Sequence, residues 1–261
     1  MFGSLAPKAA VRNVGLVNSY IKASADYVGS IVGYSYASKI ENVYSDAVVY
    51  STFSTGTWSG KSLGGIVGHM DTSTAGSTHT VSGCWFDGRI YYSGANQQIG
   101  GIAGKIYDER GSKFELYDCL FSGDIYMTST ISYRDGAGIV SGVNGTSGVA
   151  EVYMQNCLNT GTLKGTGSWG IGAALQTAKG GSISHCYAVE SSVYSRAFYD
   201  TGSISISNQG VVTLESLKFA DESALLEKLP LRTGQEESAW MCYEGTTPVL
   251  KTFADVWLDK Q

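Results

Sequence analysis

Apolar residues along this chain recur in short runs that alternate with polar positions, and glycine, asparagine, aspartate and serine break the runs apart. That punctuation belongs to β-strands joined by tight turns. Before residue 214 no stretch keeps the 3.6-residue apolar period of an amphipathic helix. The pattern also repeats. A glycine-rich apolar segment reads Gly29-Ser30-Ile31-Val32-Gly33, then Gly64-Gly65-Ile66-Val67-Gly68, then Gly100-Gly101-Ile102-Ala103-Gly104. Weaker copies follow around Ile139 and Ile171-Gly172, so the central residues 31, 66, 102, 139 and 173 are 35, 36, 37 and 34 apart.

A second landmark lies between these segments. Its copies include Asn42-Val43-Tyr44-Ser45-Asp46, Gly83-Cys84-Trp85-Phe86-Asp87, Asp118-Cys119-Leu120-Phe121-Ser122, Asn156-Cys157-Leu158-Asn159-Thr160 and His185-Cys186-Tyr187-Ala188. An earlier copy, Asn13-Val14-Gly15-Leu16-Val17-Asn18, aligns when Gly15 takes the cysteine position. Each unit is read as three short strands, 81–86, 89–93 and 99–106 in the clearest copy. Three strands in about 35 residues, copied five or six times, predict one coil per unit of a right-handed parallel β-helix, an all-β solenoid. A single coil cannot bury its apolar face, so stacking supplies the core. Six residues after the anchor stand Ile21, Val49, Ile90, Ile125 and Leu163, an expected aliphatic ladder.

Composition narrows the class. Glycine fills 34 of 261 positions against 3 prolines, far from average usage of about 7% and 5%. Collagen needs abundant proline, and a disordered chain needs low hydrophobicity and high net charge. Here 43% of residues are hydrophobic and the net charge is −5. The acidic balance and scattered basic residues argue against a nucleic-acid partner, and no apolar run approaches the length of a membrane span, so no membrane insertion is expected. Residues 84, 119, 157, 186 and 242 are cysteine, with no CxxC pair for zinc. Val43 and four cysteines share one column, which reads as small buried hydrophobes; disulfides between neighbouring coils are the rival reading.

The segments Asn13 to Asn18, the Gly-x-Ile-Val/Ala-Gly copies at 29–33, 64–68 and 100–104, and Asn156-Cys157-Leu158-Asn159-Thr160-Gly161 resemble the GLUG-motif repeats of bacterial surface proteins and of regions beside IgA-specific metallopeptidases. The resemblance covers residues 1 to 193. It implies a secreted or cell-surface bacterial module, extracellular in location, with adjacent domains in a longer chain. It does not imply catalysis, since the family repeats serve as appendages and stalks. The start, Met1-Phe2-Gly3-Ser4-Leu5, has no charged region and apolar run of a signal peptide and looks like the end of a preceding glycine segment; an excised piece of a longer chain is the expectation.

Two regions follow: repeats over 1–213 and a C-terminal segment over 214–261. In the second, Asp221 is a candidate N-cap for a helix over 222–229, Leu225 and Leu229 would share its buried face, and Pro230 would stop it. The segment is expected to cap the open end of the solenoid, with a docking surface for the next domain as the alternative.

Candidate chemistry is sparse. No glutamate follows His69, His79 or His185 as His-Glu-x-x-His requires, and no glycine segment continues as a phosphate loop. No catalytic residue, metal site or cofactor is assigned. A polysaccharide lyase or hydrolase would need paired carboxylates. Asp46 and Asp87 share a column, but glycine follows Asp87, Ser122 and Thr160 there, which reads as a turn. Asp108, Glu109 and Arg110 read as a solvated loop. The aromatic columns are the better candidates: Tyr50, Tyr91 and Tyr126 in one, Tyr44, Trp85 and Tyr187 in the other. An outward column would offer a strip for sugar rings or a protein partner, with a host or bacterial glycan or a surface protein as the ligand. Stacking between neighbouring coils is the favoured use. The reading at this stage is a non-catalytic stalk or adhesive module, with a glycan-binding module as runner-up and a carbohydrate-active enzyme third.

Overall fold

A computed structural model describes residues 1–52, 61–72, 74–92, 98–127, 136–145, 149–165, 168–175, 178–191, 194 and 196–260. Most of the chain is β-strand, and four parallel sheets carry it. In chain order five repeats visit sheet I, sheet II, sheet III and sheet IV, and among the described residues the last passes from sheet I at Gly180–Val189 to sheet IV at Phe198–Asp200. One repeat runs Lys39–Ser45, Val48–Ser51, Ser62–Gly64 and Val67–Asp71 through the four in turn. The next runs Thr78–Ser82 with Trp85–Phe86, then Arg89–Tyr92, Gln98–Gly100 and Ala103–Asp108. Each strand pairs in parallel with its counterparts in the neighbouring repeats, as in Val49–Ile90–Ile125–Leu163 of sheet II.

The three-strand unit needs correction. The run 99–106 is divided at Gly101 and Ile102, where the chain turns from sheet III into sheet IV, so this repeat and four others reach four sheets. Glycine is required at that corner. A Cβ on Gly101 would lie 2.1 Å from the Gly138 carbonyl oxygen of the next layer and 2.5 Å from the Phe121 ring. Ser93, the end of the second predicted run, lies outside the described residues.

Sheet I has its own device. Asn13, Asn42, Gly83, Asp118, Asn156, His185 and Asn208 all have φ between 45° and 59°. This left-handed residue precedes the anchor in every layer, and glycine, asparagine and aspartate adopt it most readily. The turn it makes reverses the side-chain parity of the strand. That is why both Ile40, Val81, Leu116 and Ile183 before it and Val43, Cys84, Cys119, Cys157 and Cys186 after it are fully buried. It also corrects the alignment of the first copy: Asn13 is the turn residue, Val14 pairs with Val43, and Gly15 pairs with Tyr44. Side chains bond along the turn column, with Asn42 Nδ2 donating to Asn13 Oδ1 at 3.2 Å and Asn156 Nδ2 to Asp118 Oδ1 at 3.1 Å.

One core runs through the stack, with residues from all four sheets. Phe86 and Phe121 lie nearly parallel in it at 6.3 Å. The cysteines are free thiols, and four of them are buried there. Their Sγ atoms donate to carbonyls two residues back, at 3.3–3.6 Å, and burial pushes the Cys84 and Cys157 thiols up.

The C-terminal segment lies along the flank of sheet I. Helix α1 (Glu222–Lys228) is capped by Asp221, which accepts from the Ala224 amide at 2.9 Å. Leu225 and Leu229 are fully buried, as their spacing predicts. They join Leu217, Phe219, Trp240, Leu250 and Phe253 over the column Tyr44, Trp85, Leu120, Leu158 and Tyr187. The segment therefore bridges layers from Tyr44 to Tyr187. This lateral position replaces the expected end cap, because the sheet I column presents an apolar stripe that must be covered.

Candidate functional site

The two aromatic columns have different fates. Tyr44 and Trp85 are 1% and 2% exposed. Their rings meet edge to face at 4.9 Å, and Phe253 packs on both. They point away from the repeat core, and the C-terminal segment covers them, so they form no surface for a ligand.

Tyr50, Tyr91 and Tyr126 are half-buried on the outer face of sheet II, in register with Lys22 at one end and Lys164 at the other. Tyr91 and Tyr126 stack at 4.7 Å with their planes 7° apart, and Tyr50 lies 6.3 Å from Tyr91. Lys164 Nζ sits 4.5 Å above the Tyr126 ring and donates to its hydroxyl at 3.2 Å. Tyr91 and Tyr126 thus spend faces on one another and on the lysine, and the Tyr126 hydroxyl also donates to Asp124 at 3.1 Å. Such stacking contributes about 0.5–1.5 kcal/mol per pair.

The carboxylates read as turn residues are bonded as such. Asp46 accepts from the Asn18 amide at 2.7 Å, and Asp87 accepts from Ser122 Oγ at 2.6 Å. Lys260 closes on both, with Nζ 2.5 Å from Asp87 and 3.9 Å from Asp46. The loop at 108–110 differs from expectation. Asp108 is fully buried and accepts from Thr72 Oγ1 and from the Arg110 and Ser112 amides at 2.8–2.9 Å. Its carboxylate organises the loop because it is the acceptor nearest three donors.

Where sheet III meets sheet IV, a polar and aromatic cleft opens that the sequence reading did not single out. Sheet IV places Tyr34, His69 and Lys105 in successive layers of one row. Two residues further along each strand come Tyr36, Asp71 and Tyr107. Sheet III contributes Tyr27, Ser62 and Gln98 in register. The Tyr34 ring stacks on His69 at 4.7 Å and Tyr27 lies 4.3 Å from it. Ser62 Oγ is 3.3 Å from His69 Nδ1. The Tyr34 hydroxyl donates to Asp71, as does the Tyr107 hydroxyl to Glu109. Tyr36, Asp71, Thr72, Tyr107, Glu109 and Arg110 line a cavity of about 250 Å³.

Burial tunes the charges in this cleft. It lowers His69 to about 3, with the Lys105 charge adding to the effect, so the imidazole is neutral. It lowers Lys105 to about 8, against the pull of Asp71. The Tyr107 hydroxyl is raised to about 12, chiefly by its bond to Glu109. A signal for this row exists in the sequence: Tyr34, His69 and Lys105 each directly follow the closing glycine of the repeated Gly-rich segment.

Among the described residues no group of three His, Cys, Asp or Glu side chains converges to hold a metal ion. No described helix is long and apolar enough to cross a membrane. These features define a mostly β repeat protein of parallel sheets, with a strap along one flank and a cleft where two of the sheets meet. No protein-family model, curated protein or solved structure matches the chain.

Proposed function

We propose that this chain is a right-handed parallel β-helix serving as a non-catalytic module of a bacterial secreted or cell-surface protein, a stiff stalk with an adhesive surface. Five repeats visit sheets I to IV in the same order, and parallel crossovers of this kind are right-handed in nearly all proteins. The observation that carries the mechanical role is the strap. Residues 217–260 bind layers from Tyr44 to Tyr187 through one apolar cluster and through bonds to Asp87, Asp118 and Asn156. Sliding or peeling of any of these layers then requires release of the strap.

The non-catalytic reading rests on the carboxylates of the Asp46–Asp87 column, whose lone pairs serve turns and the Lys260 ion pair. Bacterial and extracellular assignment rests on the resemblance to GLUG-motif repeats. The adhesive part extends to a glycan or a surface protein as ligand.

Pulling the chain from its two ends tests the stalk role. A strapped β-helix releases the strap first and then single repeats, each lengthening the chain by about 12 nm for some 35 residues at about 3.4 Å per residue. A single smooth low-force extension would overturn the role, and turnover of a polysaccharide by the intact chain would overturn the non-catalytic reading.

A further inference from the structure

The cleft between sheets III and IV holds a cation in an unusual state. Lys105 is 4% exposed. Among the described residues it has no hydrogen bond and no ion pair, and its ammonium lies 5.2 Å from the Tyr107 ring centre. Its stem is buried while the ammonium itself keeps contact with the open cleft. Several surface lysines of this protein find acidic partners, as Lys179 does with Glu151 and Lys260 with Asp87. Lys105 instead lies beside the Tyr107 ring with no acceptor among the described residues.

The walls of the adjoining cavity fit a particular shape. Tyr36 pairs in register with Asp71, and Tyr107 follows Ile106, which pairs with Met70. The two tyrosines therefore stand two layers apart with Asp71 in the layer between them. Two strand spacings are about 9–10 Å, and a ring stacked on an aromatic face sits about 4.5–7 Å away. One six-membered ring fits between the two. Unlike the tyrosines of sheet II, Tyr36 and Tyr107 are not stacked on each other; Tyr36 packs on Tyr34 at 4.4 Å and Tyr107 lies 5.9 Å from His69. Asp71, Glu109 and Arg110 line the cavity and Lys105 lies beside it against the Tyr107 ring, the mixed set of acceptors and donors that sugar hydroxyls need.

Charge selects among sugars. Asp71, Asp108 and Glu109 against Lys105 and Arg110 leave the cleft one negative charge in excess. A carboxylate-bearing sugar would meet two acidic side chains at the cavity wall.

We propose that this cleft is a glycan-binding site that holds a neutral hexose between Tyr36 and Tyr107, with Lys105 and Asp71 bonded to its hydroxyls. The site gives the adhesive half of the proposed function a location and a ligand class, and rests on that reading only for its biological use. The stalk role stands or falls by the pulling experiment, independently of binding here.

The test is calorimetric titration of the intact chain at pH 7 with neutral tetrasaccharides of glucose, mannose and galactose, and with a galacturonic acid tetramer. At least one neutral tetrasaccharide is expected to bind, with the acidic tetramer weaker by about tenfold or more. Lys105→Met, Tyr36→Ala and Tyr107→Ala are each expected to weaken binding by about tenfold. Tyr91→Ala, on sheet II, is expected to leave it unchanged. Lys105→Met keeps an unbranched apolar stem, one atom shorter, and removes the charge, so its melting temperature separates loss of binding from loss of fold. Absence of binding by every neutral tetrasaccharide, preference for the acidic one, or binding indifferent to the cleft variants while Tyr91→Ala abolishes it would overturn the proposal.

Discussion

Arg232 Nε donates to Asp118 Oδ2 at 2.7 Å, joining the C-terminal segment to the turn column of sheet I across 114 residues of chain. The Asp118 side chain is 2% exposed and its other oxygen accepts from Trp240 Nε1 at 3.2 Å and Asn156 Nδ2 at 3.1 Å. One carboxylate thus serves the strap, the neighbouring layer and its own left-handed turn. Breaking a buried pair by removing one partner costs about 3–5 kcal/mol. Asp118→Ala should lose that much in urea unfolding, and Asp118→Asn, which tolerates the turn and keeps two acceptor bonds, should lose less. A loss under about 1 kcal/mol for the alanine variant would mean the bond network contributes little.

Removing residues 214–261 should uncover Tyr44, Trp85, Leu120, Leu158 and Tyr187 while leaving the parallel sheets in place. The truncated chain is expected to keep its β circular dichroism, bind a hydrophobic dye and show red-shifted tryptophan emission. Unchanged emission without dye binding would place the strap somewhere other than this column.

The thiols offer a count. Cys84, Cys119, Cys157 and Cys186 are fully buried and free, and Cys242 is partly exposed. In the native state a thiol reagent should label Cys242 alone, and slowly. Burial, then the charges of Asp221 and Glu222, raise its pKa and deplete the thiolate. In denaturant all five should react. Early labelling of a second cysteine would contradict the closed interior column.

Two buried histidines set an acid limit on stability. Burial lowers His69 to about 3 and His79 to about 4, from 6.5. Above pH 6.5 both states carry neutral imidazoles and the groups have no effect. Below it the unfolded chain takes up protons that the folded chain refuses, so stability falls as pH drops toward 4 and then 3. The slope is at most about 1.4 kcal/mol per pH unit for each histidine. Urea midpoints between pH 7 and 5 should fall for the native chain and fall less for His69→Gln with His79→Gln. Equal slopes would remove the histidines as the cause.

Much of the architecture is legible in the residues because it is written in columns. The aliphatic row Val49, Ile90, Ile125 and Leu163, the cysteine column and the glycine corners recur at spacings that loop length does not hide. The left-handed turn is legible too, as Asn42, Gly83, Asp118 and Asn156 one residue before the anchor. Taken as a turn signal it also explains the broken alternation between Ile40 and Val43. What was not legible depends on partners distant in sequence. Tyr44 and Trp85 do face outward, and only the fold of residues 214–260 decides that they are covered. Asp108 looks solvated until Thr72, in another layer, is placed beside it. The cleft rows lie just beyond the glycine segments, where Tyr34, His69 and Lys105 share a position but no chemistry, so a search for like residues passes over them.

The register of the stack can be measured directly. Tyr20 and Thr162 are exposed and occupy one row of sheet II, through Val48, Arg89 and Asp124. Four strand spacings separate them, about 19 Å. Spin labels on Tyr20→Cys and Thr162→Cys, in a Cys242→Ser background, should give one narrow distance distribution close to 19 Å plus the reach of the labels. A broad distribution, or a distance well beyond that reach, would contradict the stacked layers on which the stalk and the cleft both depend.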